Sequence, residues 1–84
     1  MTALLATIAN LINAGLVFSV EYHSSENERV AILTYHWPTD RDVEAEDIKI
    51  VGKPRPLSGG EDYDSYNKEE DRYTSMHEVW AFSL

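Results

Sequence analysis

Residues 16–38 read LVFSVEYHSSENERVAILTYHWP, and this stretch decides the fold. Two runs rich in β-branched and aromatic residues flank a polar group at residues 24–28, which is the pattern of a β-hairpin. Along the first run apolar side chains alternate with polar ones, as they do in a strand with one buried face. Pro38 has no N–H to donate to a ladder, so we expect it to end the second strand.

The pairing register of this hairpin has two solutions. A four-residue loop places Val20 opposite Leu33 and Phe18 opposite Tyr35. Moving the loop by one residue turns Ile32 towards the core instead, because side chains alternate between the two faces of a strand. The sequence leaves both registers open.

The stretch before the hairpin predicts an amphipathic helix over residues 3–14. Thr2 is a good N-cap, and Gly15 lies where a left-handed C-terminal cap is needed. Several apolar side chains share one arc of the helical wheel and are expected to face the core: Leu4, Leu5, Ile8, Leu11 and Ile12.

The opposite face of this helix carries small, uncharged side chains: Ala6, Thr7, Ala9, Asn10 and Asn13. One interpretation is that alanine simply favours helix. The other is that a second surface, such as another copy of the chain, packs there. On that interpretation the interface of a homodimer or larger homo-oligomer consists of Ala6, Ala9, Asn10 and Asn13.

The middle of the chain mixes strand and breaker signals. Residues 39–46 form a charged connection with room for one helical turn, and residues 47–51 predict a third strand that Gly52 closes. Residues 53–60 contain two prolines and two glycines, so they predict irregular structure. Residues 61–71 are polar and predict an exposed loop or a frayed helix.

The C-terminal stretch predicts a last strand, because β-branched and aromatic residues are frequent after Tyr73. Its apolar face would hold Met76, Trp80, Phe82 and Leu84, with Glu78 as the exception. These elements predict an α+β fold, with one N-terminal helix packed on a three- to four-stranded antiparallel sheet. A chain of 84 residues has room for one core, so we expect a single domain over residues 1–84.

The composition narrows the function. The formal net charge is −8 and there is no cysteine. Nucleic-acid phosphates and anionic membranes repel such a chain, so we expect it to bind neither directly. Lack of thiols removes disulfides and the usual structural zinc sites and fits a cytoplasmic protein. Asn10 and Asn13 interrupt the first apolar run and no Lys or Arg precedes it, so we expect neither signal peptide nor membrane span.

No constellation of residues predicts catalysis. The histidines, His23, His36 and His77, lack any spacing typical of a metal site, and the first two are expected near opposite ends of the hairpin. The serines stand in no nucleophile motif, and neither acidic run continues into a calcium-binding loop. We therefore expect a protein that is not an enzyme and that uses no metal or cofactor.

The most informative stretch for function is EDYDSYNKEEDRY, residues 61–73. Carboxylates interleaved with tyrosines offer negative charge and rings that make good interface anchors. The alternative is a solvated acidic loop. The predicted partner-binding residues are Asp62, Tyr63, Asp64, Tyr66, Glu69, Glu70 and Asp71, joined by Asp40, Asp42 and Glu44 from the charged connection.

In size and composition alone, the chain is similar to phage-encoded inhibitors of host defence such as anti-CRISPR and anti-restriction proteins. It is similar in the same way to immunity proteins against nuclease toxins and to acidic antitoxins. The resemblance implies a stoichiometric inhibitor of a basic, nucleic-acid-handling protein, a nucleic-acid mimic steered to its partner by charge. The alternative expectation is a non-catalytic structural subunit that associates through the uncharged helix face.

Overall fold

The computed structural model describes residues 1–39 and 48–84, which form two antiparallel sheets and one α-helix. The larger sheet has the strand order β1-β2-β6-β3, and β4 and β5 form a small second sheet. The elements in chain order are α1 (Thr2–Asn13), β1 (Val17–Ser24), β2 (Arg29–Pro38), β3 (Arg55–Glu61), a 3-10 helix (Tyr63–Ser65), β4 (Tyr66–Asn67), β5 (Arg72–Tyr73) and β6 (Ser75–Ser83). The predicted α+β fold is confirmed.

The first hairpin adopts the register that a four-residue loop dictates. Val20 lies opposite Leu33 and Phe18 opposite Tyr35. This register places Leu33 and Tyr35 in the core, while Ile32 points to the other face of the sheet and is half-buried. Pro38 is the last residue of β2, as predicted.

The two ends of α1 differ in how well the sequence predicted them. Gly15 has φ +70° and donates its N–H to the carbonyl of Ile12, while Leu16 donates to Leu11, which is a Schellman cap and confirms the predicted C-terminus. The predicted N-cap was wrong, because Thr2 is already helical and Met1 stands at the cap position. Among the described residues no helix has the length and apolar character to cross a bilayer.

The helix is rotated from the predicted orientation. Leu5 and Ile12 are 59% and 61% exposed, whereas Thr7 is fully buried. The cause is the segment of residues 48–51, whose backbone needs hydrogen-bond partners as it crosses the helix. Thr7 Oγ1 accepts from the N–H of Val51 at 3.0 Å, and Asn10 donates to the carbonyl of Lys49 at 2.9 Å. Two polar side chains of the helix, Thr7 and Asn10, thus contact residues 48–51 of the same chain.

The third strand predicted at residues 47–51 is wrong for its described part, because residues 48–51 form no strand. Ile48 instead buries its side chain in the main core, beside Leu4, Leu11 and Leu16. The charged connection predicted at residues 39–46 lies outside the described residues, except for Thr39.

Strand β3 occupies the stretch for which the sequence predicted irregular structure, so that prediction was wrong. An edge strand has one side without a ladder, which is why Pro56 is tolerated there. The pairing with β6 is irregular between Pro56 and Ser58. Gly59 approaches β6 so closely that a Cβ on it would lie 3.1 Å from the backbone oxygen of His77. A larger residue at position 59 would require the neighbouring backbone to shift by a few tenths of an ångström.

Strand β6 lies between β2 and β3 and confirms the predicted C-terminal strand, although Leu84 falls beyond it. Glu78 is the one charged residue on the apolar face of β6, and it lies opposite Tyr35. Its carboxylate accepts hydrogen bonds from the Tyr35 hydroxyl and from the Trp80 indole. Burial, together with the bond to Glu78, raises the pKa of Tyr35 far above its ordinary value.

Candidate functional site

Two histidines face each other across the centre of the sheet. His36 in β2 is the direct cross-strand partner of His77 in β6, and their ring centroids are 5.8 Å apart. Both side chains point to the sheet face opposite Tyr35, because neighbouring residues in a strand alternate between faces. Asp62, which follows β3, reaches the same place. We call His36, Asp62 and His77 the His–Asp–His cluster.

The carboxylate of Asp62 is shared between the two imidazoles. Its Oδ2 lies 3.0 Å from Nδ1 of His36, and its Oδ1 lies 2.5 Å from Nδ1 of His77. Ser75 donates its hydroxyl to Oδ2 at 2.7 Å. Burial by itself would raise the pKa of the Asp62 carboxyl, but the hydrogen bonds from His36, Ser75 and His77 outweigh it and hold that pKa below its ordinary value.

Chemically, this cluster resembles a ligand site more than a nucleophile site. Ser75 donates to the carboxylate rather than to an imidazole, so no histidine is placed to activate its hydroxyl. The three possible ligand atoms of the His–Asp–His cluster lie within 4.8 Å of one another. Such a set of imidazole and carboxylate groups is able to hold a metal ion.

The spacing of the histidines along the chain does not predict the pair that the fold brings together, His36 and His77. As expected, His23 and His36 are far apart, since His23 pairs with Val30 near one end of the hairpin and His36 pairs with Val17 at the other end. A signal for the missed pair exists. His36 precedes Trp37 and His77 follows Met76, so aligning these two large apolar residues in antiparallel strands also aligns the histidines.

Residues 61–73, which we call the acidic segment, are ordered by local bonds rather than left as a loop or a frayed helix. After the 3-10 helix, β4 and β5 pair Tyr66 with Tyr73. Asn67 Oδ1 accepts the N–H groups of Glu69 and Glu70, which is the usual way that asparagine closes a turn. Here the sequence prediction was wrong, because the turn chemistry of Asn67 went unrecognised.

Three tyrosines pack together on the acidic segment. The ring of Tyr73 meets Tyr63 edge-on at 5.6 Å and Tyr66 at 5.2 Å between centroids. Tyr66 donates its hydroxyl to Asp71, and this bond raises the pKa of Tyr66. Tyr63 is nevertheless 83% exposed. The rings are therefore fixed in place and still open to contact.

Asp62 and Ser65 anchor the acidic segment to the sheet. The N–H of Asp62 donates to the carbonyl of Ser75 at 2.9 Å, and Ser65 Oγ donates to the carbonyl of Asp62 at 2.6 Å. Thr74 returns a backbone N–H to the carbonyl of Ser65 at 3.1 Å. The Asp62 side chain is only 10% exposed, so it acts within the fold and not at the surface.

The other predicted partner-binding residues fall into two groups. Those of the acidic segment are exposed at the surface: Tyr63, Asp64, Tyr66, Glu69, Glu70 and Asp71. Glu70 pairs with Arg72 at 2.7 Å. Those of the charged connection, Asp40, Asp42 and Glu44, lie outside the described residues.

The predicted oligomer interface is divided by the fold. Ala9 and Asn13 are exposed, but Ala6 is half-buried and Asn10 is engaged with Lys49 of the same chain. Leu5 and Ile12, assigned to the core from the sequence, share the exposed side of the helix with Ala9.

Comparisons of the chain with protein-family models, with curated proteins and with solved structures find no match. Its function is therefore inferred from the arrangement of its own residues.

Proposed function

We propose that the protein is a small acidic binding module that uses the acidic segment to engage a basic partner protein. The observation that carries the proposal is that this segment is ordered while two of its tyrosines, Tyr63 and Tyr66, and all of its carboxylates except that of Asp62 remain exposed. The class of partner we propose is a protein that handles nucleic acid, with the module acting as a stoichiometric inhibitor in the cytoplasm.

Charge supports this assignment. The exposed carboxylates of the acidic segment are Glu61, Asp64, Glu69, Glu70 and Asp71. A cationic groove attracts such a surface from a distance, and complementary fields raise association rates by roughly 10- to 1000-fold. The same groove would otherwise accept phosphates, so the module would compete with nucleic acid for it.

Preorganisation supports it as well. Tyrosine buries a large rigid ring at a small cost in side-chain entropy, which makes it a frequent anchor in interfaces. Here Tyr63 and Tyr66 are already held against Tyr73 before any partner arrives. A preordered contact surface loses less conformational entropy on binding than a disordered acidic loop would.

The test compares two charge-reversed variants of equal net charge. One carries Glu61→Lys, Asp64→Lys and Glu69→Lys in the acidic segment. The control carries Glu21→Lys in β1 and Glu26→Lys and Glu28→Lys in the turn between β1 and β2, and all three positions are exposed. Each variant changes the net charge from −8 to −2.

Partners would be captured from lysate of the source organism on wild-type and variant protein at low and at high salt. We expect a basic partner that the wild type and the control capture at low salt, that excess DNA displaces and that the acidic-segment variant does not capture. With that partner purified, association to the acidic-segment variant should be about tenfold slower or more at low salt. Equal association of both variants would rule out the acidic segment as the binding surface.

A second candidate is a homo-oligomeric subunit, and the exposed apolar side of α1 favours it. Leu5, Ala9 and Ile12 recur at intervals of three or four residues and form one exposed stripe. Light scattering at high concentration tests it: a dimer that Leu5→Glu converts to a monomer supports self-association. A wild type that is already monomeric excludes it.

A further inference from the structure

We propose that the His–Asp–His cluster binds a divalent transition-metal ion of the zinc type. The two imidazoles and the carboxylate come from the central strands and from the end of β3, so the fold rather than the chain order assembles the site. The inference is independent of the proposed partner, because the Asp62 carboxylate is largely buried and takes no part in the exposed surface proposed for partner binding.

The geometry is close to that of a metal site. Zinc–nitrogen and zinc–oxygen bonds of about 2.0–2.2 Å in a tetrahedron place neighbouring ligand atoms roughly 3.4 Å apart. In the cluster Nδ1 of His36 and Nδ1 of His77 lie 3.0 and 2.5 Å from oxygens of Asp62. For an ion to replace the protons in these two contacts, the nitrogens of His36 and His77 would move about 0.4 and 0.9 Å away from the Asp62 oxygens.

The donor set selects the kind of ion. Imidazole nitrogen suits zinc, nickel and copper, whereas calcium and magnesium prefer cages of oxygen ligands. His36 and His77 supply two nitrogens and Asp62 one or two oxygens. Three protein side chains leave a coordination position for water, which is the arrangement of an open rather than a closed zinc site.

The surroundings hold the carboxylate in position before any ion binds. Ser75 Oγ donates to Asp62 Oδ2 at 2.7 Å, and the backbone of Asp62 is bonded to Ser75 and Ser65. Partners of this kind orient metal ligands and are worth about 10- to 100-fold in affinity. The imidazoles are half-buried, and His36 and Ser75 also line a shallow cavity of about 290 Å³.

The test titrates the chelator-treated full chain with zinc chloride at neutral pH in a calorimeter, with magnesium chloride as the contrasting ion. We expect one zinc ion per chain and no binding of magnesium. With zinc at one hundred times its Kd, thermal unfolding should shift upwards by about 10 °C or more. Failure to bind zinc at millimolar concentration would overturn the proposal.

The third histidine provides a matched control. His36→Ala, His77→Ala and Asp62→Asn should each weaken zinc binding by about a hundredfold or more, and Ser75→Ala by about tenfold. His23→Ala, on the edge strand β1, should leave the affinity unchanged. Full affinity in both His36→Ala and His77→Ala, or loss of binding in His23→Ala, would contradict the assignment.

A wild-type readout keeps the proposal testable where a variant fails to fold. In nitrogen-15 spectra of the imidazole rings, zinc should shift Nδ1 of His36 and of His77 and leave the ring nitrogens of His23 in place. Zinc that shifts the His23 ring alone, or that shifts none of the three rings, would show that the cluster is only a hydrogen-bonded support for Asp62.

Discussion

The turn between β1 and β2 and the acidic segment carry the same kind of charge but are held in different ways. The turn closes with a backbone bond of 2.8 Å from Ser25 to Glu28, and its acids project into solvent. The acidic segment adds a 3-10 helix, a second small sheet, packed tyrosines and the largely buried carboxylate of Asp62. Acidic composition alone therefore does not distinguish a solvated turn from a prepared contact surface.

The acidic segment differs from the turn in having hydrogen bonds that tie it to the sheet. Under the acidic segment Asp62 draws three hydrogen bonds from His36, Ser75 and His77. Removing these hydrogen bonds should make the acidic segment less ordered, so that it resembles the solvated turn between β1 and β2.

The largest effect is expected from Asp62→Ala, measured by urea unfolding in chelator. The substitution leaves two imidazoles without their acceptor and leaves the Ser75 hydroxyl only its longer bond of 3.4 Å to the Trp37 carbonyl, so the free energy of unfolding should fall by about 2–4 kcal/mol. Glu26→Ala in the turn should change it by no more than about 0.5 kcal/mol. Similar values for the two variants would mean that Asp62 supports nothing.

An intermediate effect is expected from Tyr73→Ala, which removes the ring between Tyr63 and Tyr66. Aromatic pairs contribute about 0.5–1.5 kcal/mol each beyond burial, so we expect a loss of about 1–3 kcal/mol. Amide hydrogen exchange in β4 should accelerate while exchange in β1 stays the same. Tyr22→Ala on the edge strand β1 is the control. An equal loss of stability in that variant would argue that the packing of the three tyrosines does not stabilise the acidic segment.

The smallest effect concerns the titration of Tyr66. The hydrogen bond to the Asp71 carboxylate raises the pKa of Tyr66, because ionisation would break that bond and set two negative charges side by side. The contribution of this bond is fully present below the ordinary tyrosine pKa of 10.0 and is lost as the pH rises above it.

Asp71→Asn should move the Tyr66 titration down towards 10.0 in ultraviolet absorbance, while Asp64→Asn in the same segment should not. No movement in Asp71→Asn would show that the bond does not persist in solution.

Most of the fold follows from local patterns in the sequence. The hairpin, the helix with its Gly15 cap and the strand at the C-terminus each have their own periodicity or turn signal. The rotation of the helix does not follow from a local pattern, because it depends on hydrogen bonds between the backbone of residues 48–51 and the side chains of Thr7 and Asn10. Strand β3 was hidden for a related reason: Pro56 and its two glycines oppose strand formation locally, and an edge position tolerates them.

The candidate site divides in the same way. Exposed tyrosines and acids in residues 63–71 are a local property and were predicted. The burial of the Asp62 side chain cannot be predicted from local sequence, since it requires β6 to lie between β2 and β3 in the sheet. The pairing of His36 with His77 depends on a register between strands about forty residues apart, for which the sequence offers one weak signal, the alignment of Trp37 with Met76.

The most direct test of the account is to map the binding surface by nuclear magnetic resonance. The isotope-labelled chain would be titrated with the basic partner obtained from salt-sensitive capture. Amide shifts concentrated at residues 63–71, and reduced by added salt, are the predicted result. Shifts concentrated on the exposed side of α1 or on the first turn, with residues 63–71 unchanged, would contradict it.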